Sequence, residues 1–406
     1  MSDYKGISYL QRKLATKRSR VLLRYAFYEQ KQKAEDFGIS TPEGLEWFQS
    51  VNGWCTKAVD NLADRLQFDG FENDNSMMQE MFNLNNPDII FDSALLSALI
   101  TSCSFFYISR GEDGPRIQVV DGGNATGIID DQTNLLTEGY AVLSRDEFDR
   151  PLTYAYFQRG ETWVYEEGQS DPIAHESTGA EYAALVPVIY KPDARRPFGH
   201  SRISRSCMSI ALSAMRTVKR SEIAAEFYSF PQKYATGLSQ DAEVMDSWKA
   251  TMSAMLSFTR DDEGDTPTLG QFQQQSMQPH VEQLKAFASM FAGETGLTVD
   301  DLGFNMQNPS SAEAIKASHE TLRLAASKAQ RCFGSSFVNA GYIAACVRDN
   351  YAYNRAQVYK TRAEWLPVFE PDAAMLSSIG DGILKLNQAM PDYIDEKRIH
   401  RLTGIK

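Results

Sequence analysis

Between about residues 88 and 190 the spacing of apolar positions changes from a helical to an alternating period. Asp88 to Ser102 carries apolar residues on all sides and predicts a buried helix. After it the chain alternates apolar and polar over Phe105–Ser109, Arg116–Val120, Ala125–Ile129, Gly139–Ser144, Thr153–Gln158 and Thr162–Glu166. Glu112-Asp113-Gly114, Asp121-Gly122-Gly123, Asp149-Arg150-Pro151 and Arg159-Gly160 separate these runs as turns. Leu185–Tyr190 is a last short strand. Short strands at this spacing predict a mainly antiparallel sheet.

Elsewhere the period is helical. Ser8 to Lys33 places Leu10, Leu14, Leu22 and Leu23 among six basic residues, and reads as a helix with a solvated basic face. Thr41-Pro42-Glu43 opens a second helix that carries Val51 and Leu62, leading into strand-like Leu66–Phe71. Ser204 to Ser229 reads as one long helix, with Ile210, Ala214 and Val218 along one face. Asp241 to Leu256 is another. From Pro279 a further helix aligns Leu284, Ala288 and Phe291, and ends near Gly293 and Gly296.

The polar loop Leu297–Pro309 follows. Ser310 and Glu313 then have capping-box spacing, and a stripe runs through His319, Leu322, Ala326 and Phe333. After Gly334 a separate helix is expected to about Asn350. Gln357–Phe369 is strand-like, and Asp372–Met390 and Asp395–Leu402 close the chain as helices. Strands concentrated in one region and helices elsewhere give an α+β fold class.

The 406 residues allow two or three domains, and 43% hydrophobic with 23% charged content is ordinary for a globular protein. A formal charge of −12 argues against tight nucleic-acid binding, which requires clustered Lys and Arg. Cys55, Cys103, Cys207, Cys332 and Cys346 are too scattered for a zinc site and read as buried thiols of a reducing cytosol. No signal peptide is evident, and Ala94–Ile108 is too short to span a bilayer, so no membrane association is expected.

Catalytic patterns are sparse. Asp130-Asp131, Asp261-Asp262 and Asp300-Asp301 are the adjacent carboxylate pairs, and each sits in a turn-like context. A divalent-metal nuclease using such pairs is one functional reading; solvated turns are the other. His175, His200, His280, His319 and His400 fall in unrelated contexts, and no nucleotide-binding or hydrolase motif occurs. The expectation is a protein that is not an enzyme and carries no cofactor or metal.

Four stretches in a fixed order carry a resemblance. They are Asn61–Phe71 (NLADRLQFDGF), Val186-Pro187-Val188 followed by Phe198-Gly199-His200-Ser201, Phe230–Tyr234 (FPQKY), and Asn308–Ile315 (NPSSAEAI). In that order the chain resembles the portal proteins of tailed bacteriophages, in particular the branch similar to the portal of the Bacillus phage SPP-one.

The resemblance implies a ring, usually of twelve chains, at one capsid vertex of the virion, assembled in the host cytoplasm. Double-stranded DNA would pass through it without sequence specificity. Its partners would be the major capsid protein and scaffold, the large terminase subunit, and then a neck or adaptor protein. Residues 1–203 would form a mixed α/β wing, 204–229 and 279–296 a pair of stem helices, and 230–278 a clip. Residues 297–310 would be a tunnel loop, 311–350 a long helix, 351–370 a return strand, and 371–406 a reduced helical crown. The loop's Phe304, Asn305, Met306, Gln307 and Asn308 would face the DNA channel, with Phe304 and Met306 packing on the neighbouring loop. Arg260, Asp261, Asp262 and Glu263 would meet terminase and adaptor. Ile210, Ala214, Val218, Leu284 and Phe291 would join stem helices of adjacent subunits.

Overall fold

The computed structural model describes residues 4–35, 47–229, 233–236, 268–271, 276–304, 317–369, 373–391 and 393–405, with a few single positions between them. The fold is α+β and divides into two compact units. The first comprises Met1–Gln32, Gly53–Met208 and Ala292–Lys406; the second comprises Lys33–Asn52 and Ser209–Phe291. Both boundaries of the second unit with the rest of the chain after residue 200 fall inside helices. Residues 33–52, read from sequence as part of the first region, cluster with the second.

In the first unit, helix α1 spans Ile7–Tyr28 and α2 Trp54–Ala63. Helix α2 has Gly53 at its N-cap, and Val51, expected within a helix, lies before it; Pro42 and Glu43 lie outside the described residues. Strand β1 (Phe68–Glu72), a short helix α3 (Met78–Asn83) and α4 (Pro87–Thr101) follow. Strands β2 (Cys103–Arg110), β3 (Pro115–Val120) and β9 (Leu185–Ile189) make a three-stranded antiparallel sheet with β2 in the middle. β4 (Ala125–Ile129), β5 (Leu136–Arg145), β6 (Pro151–Gln158), β7 (Glu161–Glu166) and β8 (Ala174–Ser177) form a five-stranded meander. The alternating runs become these two sheets, as their period requires.

The α1 side chains that enter the core are Leu10, Leu14, Val21 and Phe27, whereas Leu22 and Leu23 are exposed. Leu10 and Leu14 pack on Tyr140, Val142 and Tyr156 of the meander. The basic face is only partly solvated. Lys13 donates to the Gly127 carbonyl at 2.7 Å, and Lys13 and Lys17 lie 5.0 and 5.5 Å from the Phe198 ring. Burial, foremost, holds both ammonium groups below the ordinary lysine range.

The β2 strand and α4 meet an aromatic core. Phe91 lies 4.3 Å from Phe68, 4.8 Å from Phe82 and 4.4 Å from Phe337, ring centre to ring centre. Phe337 belongs to a long helix, Glu320–Asp349, which runs unbroken through Gly334. Gly334 is therefore not a stop. A Cβ there would stand 3.0 Å from the Ala363 Cβ, so the glycine lets the helix approach strand β12 (Arg362–Trp365), which pairs antiparallel with β1. Helices Ala373–Ala389 and Glu396–Thr403 come last, and neither carries a buried residue.

The second unit holds most of the 25-residue helix α5 (Arg205–Ser229) and of helix α6 (Gln278–Thr295). Strands β10 (Lys233–Thr236) and β11 (Thr268–Gln271) pair antiparallel. We number the later helices α7 (Glu320–Asp349), α8 (Ala373–Ala389) and α9 (Glu396–Thr403). The helix expected over Asp241–Leu256 and the Ser310 capping box lie outside the described residues. No helix among those residues is long and apolar enough to cross a membrane. All five cysteines are free.

Candidate functional site

The loop that sequence analysis singled out grows from the end of α6, and its first eight residues are firmly built. Gly296, with φ of 71°, ends the helix while its N–H donates to the Ala292 carbonyl at 2.8 Å. Leu297 turns into the interior, 6% exposed. The Asp301 carboxylate then accepts the Thr298 N–H at 2.8 Å and the Thr298 hydroxyl at 2.9 Å, closing a single 3₁₀ turn over Asp300–Leu302. Gly303, with φ of 90°, redirects the chain, and the Phe304 N–H returns to the Val299 carbonyl at 3.3 Å.

Phe304 is half-buried and meets Trp54 edge to face at 6.4 Å. This ring contact lies within its own chain. Asn305, Met306, Gln307 and Asn308 lie outside the described residues, as do Arg260, Asp261, Asp262 and Glu263.

Arg202, which the sequence reading passed over, and Ser204, read there only as a helix start, fasten this base. Arg202 donates to the Ala58 carbonyl at 3.0 Å and to the Thr295 carbonyl at 2.5 Å, so one guanidinium satisfies an acceptor of α2 and the last turn of α6. The Ser204 hydroxyl accepts the Cys207 N–H at 3.1 Å, capping α5, and donates to Glu294 at 2.8 Å. A serine just before an apolar helical run is a readable cap signal. Arg202 has none, because its acceptors lie 144 and 93 residues away in sequence.

Ile210, Ala214 and Phe291 are buried within the single chain at 9%, 0% and 0% exposure, which leaves Val218 and Leu284 half-buried. Within this chain Ala214 and Phe291 are fully covered, and Ile210 nearly so. Val281 and Met290, on α6, are exposed instead, at 39% and 58%. Within the second unit the Thr217 hydroxyl of α5 donates to Gln283 of α6 at 3.0 Å.

The aspartate pairs have local structural partners. Asp130 accepts from the Thr133 hydroxyl at 2.7 Å and from Gln132 N–H at 3.3 Å, and the Thr133 bond leads in holding its carboxyl below the usual carboxylate range. Asp301 serves the 3₁₀ turn. Asp261-Asp262 lies outside the described residues, among which no three metal-ligating side chains gather. Four of the five histidines also stand beside carboxylates. His175 meets Glu161 at 2.6 Å, His200 meets Asp193 at 2.5 Å and His400 meets Asp69 at 2.7 Å. His319 stands at the N-cap of α7, 3.9 Å from Asp301, and not within the helix's apolar stripe.

No family model matches the chain. It is 23% identical over 342 residues to the portal protein of Mycobacterium phage L5, covering 79% of this chain and 69% of that protein. It is 24% identical over 348 residues to the portal protein of Mycobacterium phage D29, covering 78% and 69%. Among solved structures it is similar in fold to a chain of the virion of a native gene transfer agent particle, with TM-score 0.44 and 10% identity over 87% of this chain and 90% of that one. A chain in the neck of the native particle computed with C12 symmetry gives TM-score 0.42 at 13% identity, with the same coverage.

Proposed function

We propose, taking the chain's similarity to tailed-phage portal proteins as the premise, that it is a portal subunit of the virion. Chains of this kind would close into a ring at one capsid vertex, pass double-stranded DNA in packaging and ejection, and dock terminase and later the neck proteins. The observation that carries this reading is sequence similarity to two portal proteins along nearly four-fifths of the chain. The loop base supports it, since a loop that works against moving DNA needs an anchored root, and Gly296–Phe304 provides one.

In this reading α5 and α6 are stem helices, 230–278 is the clip that carries Arg260, Asp261, Asp262 and Glu263, and 297–310 is the tunnel loop. Residues 371–406 form a reduced crown. Asn305, Gln307 and Asn308 offer neutral donors to passing phosphates, and a chain of net charge −12 avoids the counterion release that would hold DNA in place. The stem contact between subunits uses Val218 and Leu284 together with Val281 and Met290, in place of the buried Ile210, Ala214 and Phe291. Each subunit contacts two neighbours through a heterologous, closing interface.

The test is mass photometry of the purified chain followed by averaging of negatively stained particles. Closed rings of about twelve chains with a central hole are expected. A monomer that cleaves DNA with Mg²⁺ or Mn²⁺, and loses that activity in Asp130→Ala or Asp300→Ala, overturns the reading in favour of a nuclease.

A further inference from the structure

Away from the loop, a groove of about 510 Å³ runs between helix α7 and the segment from Arg355 to Trp365. Arg331, Arg355 and Arg362 are among the residues that line it, and no Asp or Glu does. None of the three forms an ion pair among the described residues.

Arg355 is held ready. Its Nε and Nη2 donate to the buried Asn339 Oδ1 at 3.2 and 2.7 Å, which fixes the guanidinium plane without neutralising it. Arg331 and Arg362 are exposed. The floor is where Gly334 brings α7 against Ala363 and Trp365. One wall is strand β12, which among the described residues pairs with β1 alone, so its second edge has no strand partner among them. An edge of this kind presents unpaired N–H and C=O groups to an added strand.

We propose that this groove receives an acidic, extended polypeptide segment of a partner protein. The segment adds along the free edge of β12 and sets its carboxylates against Arg331, Arg355 and Arg362. Main-chain hydrogen bonds supply affinity in strand addition, while guanidinium–carboxylate pairs supply selectivity. The free edge favours a peptide over a nucleic-acid backbone, which has no matching ladder of donors and acceptors. The inference goes beyond the portal reading and does not depend on ring closure.

The experiment uses the full chain and a fluorescein-labelled ten-residue peptide of alternating Glu and Val, followed by fluorescence anisotropy. An alternating Lys and Val peptide and a single-stranded oligonucleotide serve as comparisons. Saturable binding of the acidic peptide is expected, weakened at least about tenfold in the doubly substituted Arg331→Glu, Arg362→Glu chain, with an unchanged circular dichroism melt. The Lys peptide should not bind.

Absence of saturable binding, or equal binding by the substituted chain, overturns the proposal. Oligonucleotide binding that is lost with the same substitutions also overturns it and makes the groove a phosphate site. If the substitutions abolish rings and no peptide binds the native chain, the groove is a subunit contact and the proposal again fails. The portal reading survives each of these outcomes as long as the native chain forms rings.

Discussion

At the scale of single residues, helix glycines and buried thiols show what packing demands. Gly341 lies inside α7, where a Cβ would stand 2.5 Å from the Sδ and 2.7 Å from the Cγ of the buried Met78. Gly341→Ala gains about 1 kcal/mol of helix propensity and loses more to overpacking, so a net loss of about 1–2 kcal/mol is expected in chemical denaturation. In the pair with Met78→Ala the two costs should fall short of their sum; strict additivity would show that the contact is not the cause.

Burial pushes the Cys55 thiol up to about 12 and raises those of Cys207, Cys332 and Cys346. Because a raised pKa keeps the thiol protonated, little thiolate is present at pH 8. The native chain should therefore react slowly with Ellman's reagent at that pH and yield five equivalents in denaturant. One fast equivalent from Cys55 in the native state would contradict the packing described.

Some residues could not be read from sequence at all. Glu138 lies in β5, one residue before the alternating run read from sequence, and nothing there gave it a role. It is 1% exposed, and it accepts the Lys5 and Gly6 N–H groups at 2.8 and 2.7 Å and the Tyr156 hydroxyl at 2.7 Å. It thus caps α1, whose own N-cap is a glycine with no side chain to offer. A cap supplied 132 residues away leaves no local signature.

At the scale of elements, long periodic segments were legible and short or punctuated ones were not. Most of the strands matched their alternating runs within about three residues, because a half-buried sheet enforces period two. The short α3 and β8 escaped, and Gly334 was misread as a stop because a glycine needed for close approach looks the same as one needed for termination. The loop base was visible as glycines and a turn, but its anchor Arg202 was not.

Helix α9 offers a clean element-level test. It has no buried residue and is tied down by polar contacts. The Asp395 carboxylate caps it by accepting the Arg398 N–H at 3.0 Å, His400 reaches Asp69 at 2.7 Å, and Arg401 reaches Glu72 and Glu364 at 3.0 and 3.1 Å. The more exposed Arg401 pairs contribute about 0–1 kcal/mol each, which leaves the half-buried His400–Asp69 contact as the main tie of the helix. His400→Ala should speed tryptic cleavage after Lys397 and Arg398 severalfold and shift the main thermal transition by less than about 1 °C, since the core does not depend on this helix. A large fall in Tm would show that α9 is part of the core's cooperative unit.

At the scale of the whole molecule, the sequence conveyed the order of elements, and that order suggested both the fold class and a family. It did not reveal that the first unit is assembled from three separate stretches of chain, since only tertiary contacts define such a unit. On the proposed assembly, Met290→Glu on the exposed face of α6 should abolish rings in mass photometry while the circular dichroism melt stays unchanged. Rings that persist would remove Met290 from the contact and return attention to Val218 and Leu284.

The pairing of β1 with β12 also has a consequence in time. The Thr361 hydroxyl bonds the Asn73 carbonyl across 288 residues of sequence, and Phe68 packs on Trp365 at 5.5 Å. A ribosome adding about 5–20 residues per second spends roughly 15–60 s between making these two strands. Through that interval β1 waits unpaired, and the aromatic core that receives Phe68 lacks Phe337 and Trp365. The first unit then cannot mature until the ribosome has passed Trp365, and any self-association that relies on it is deferred until then.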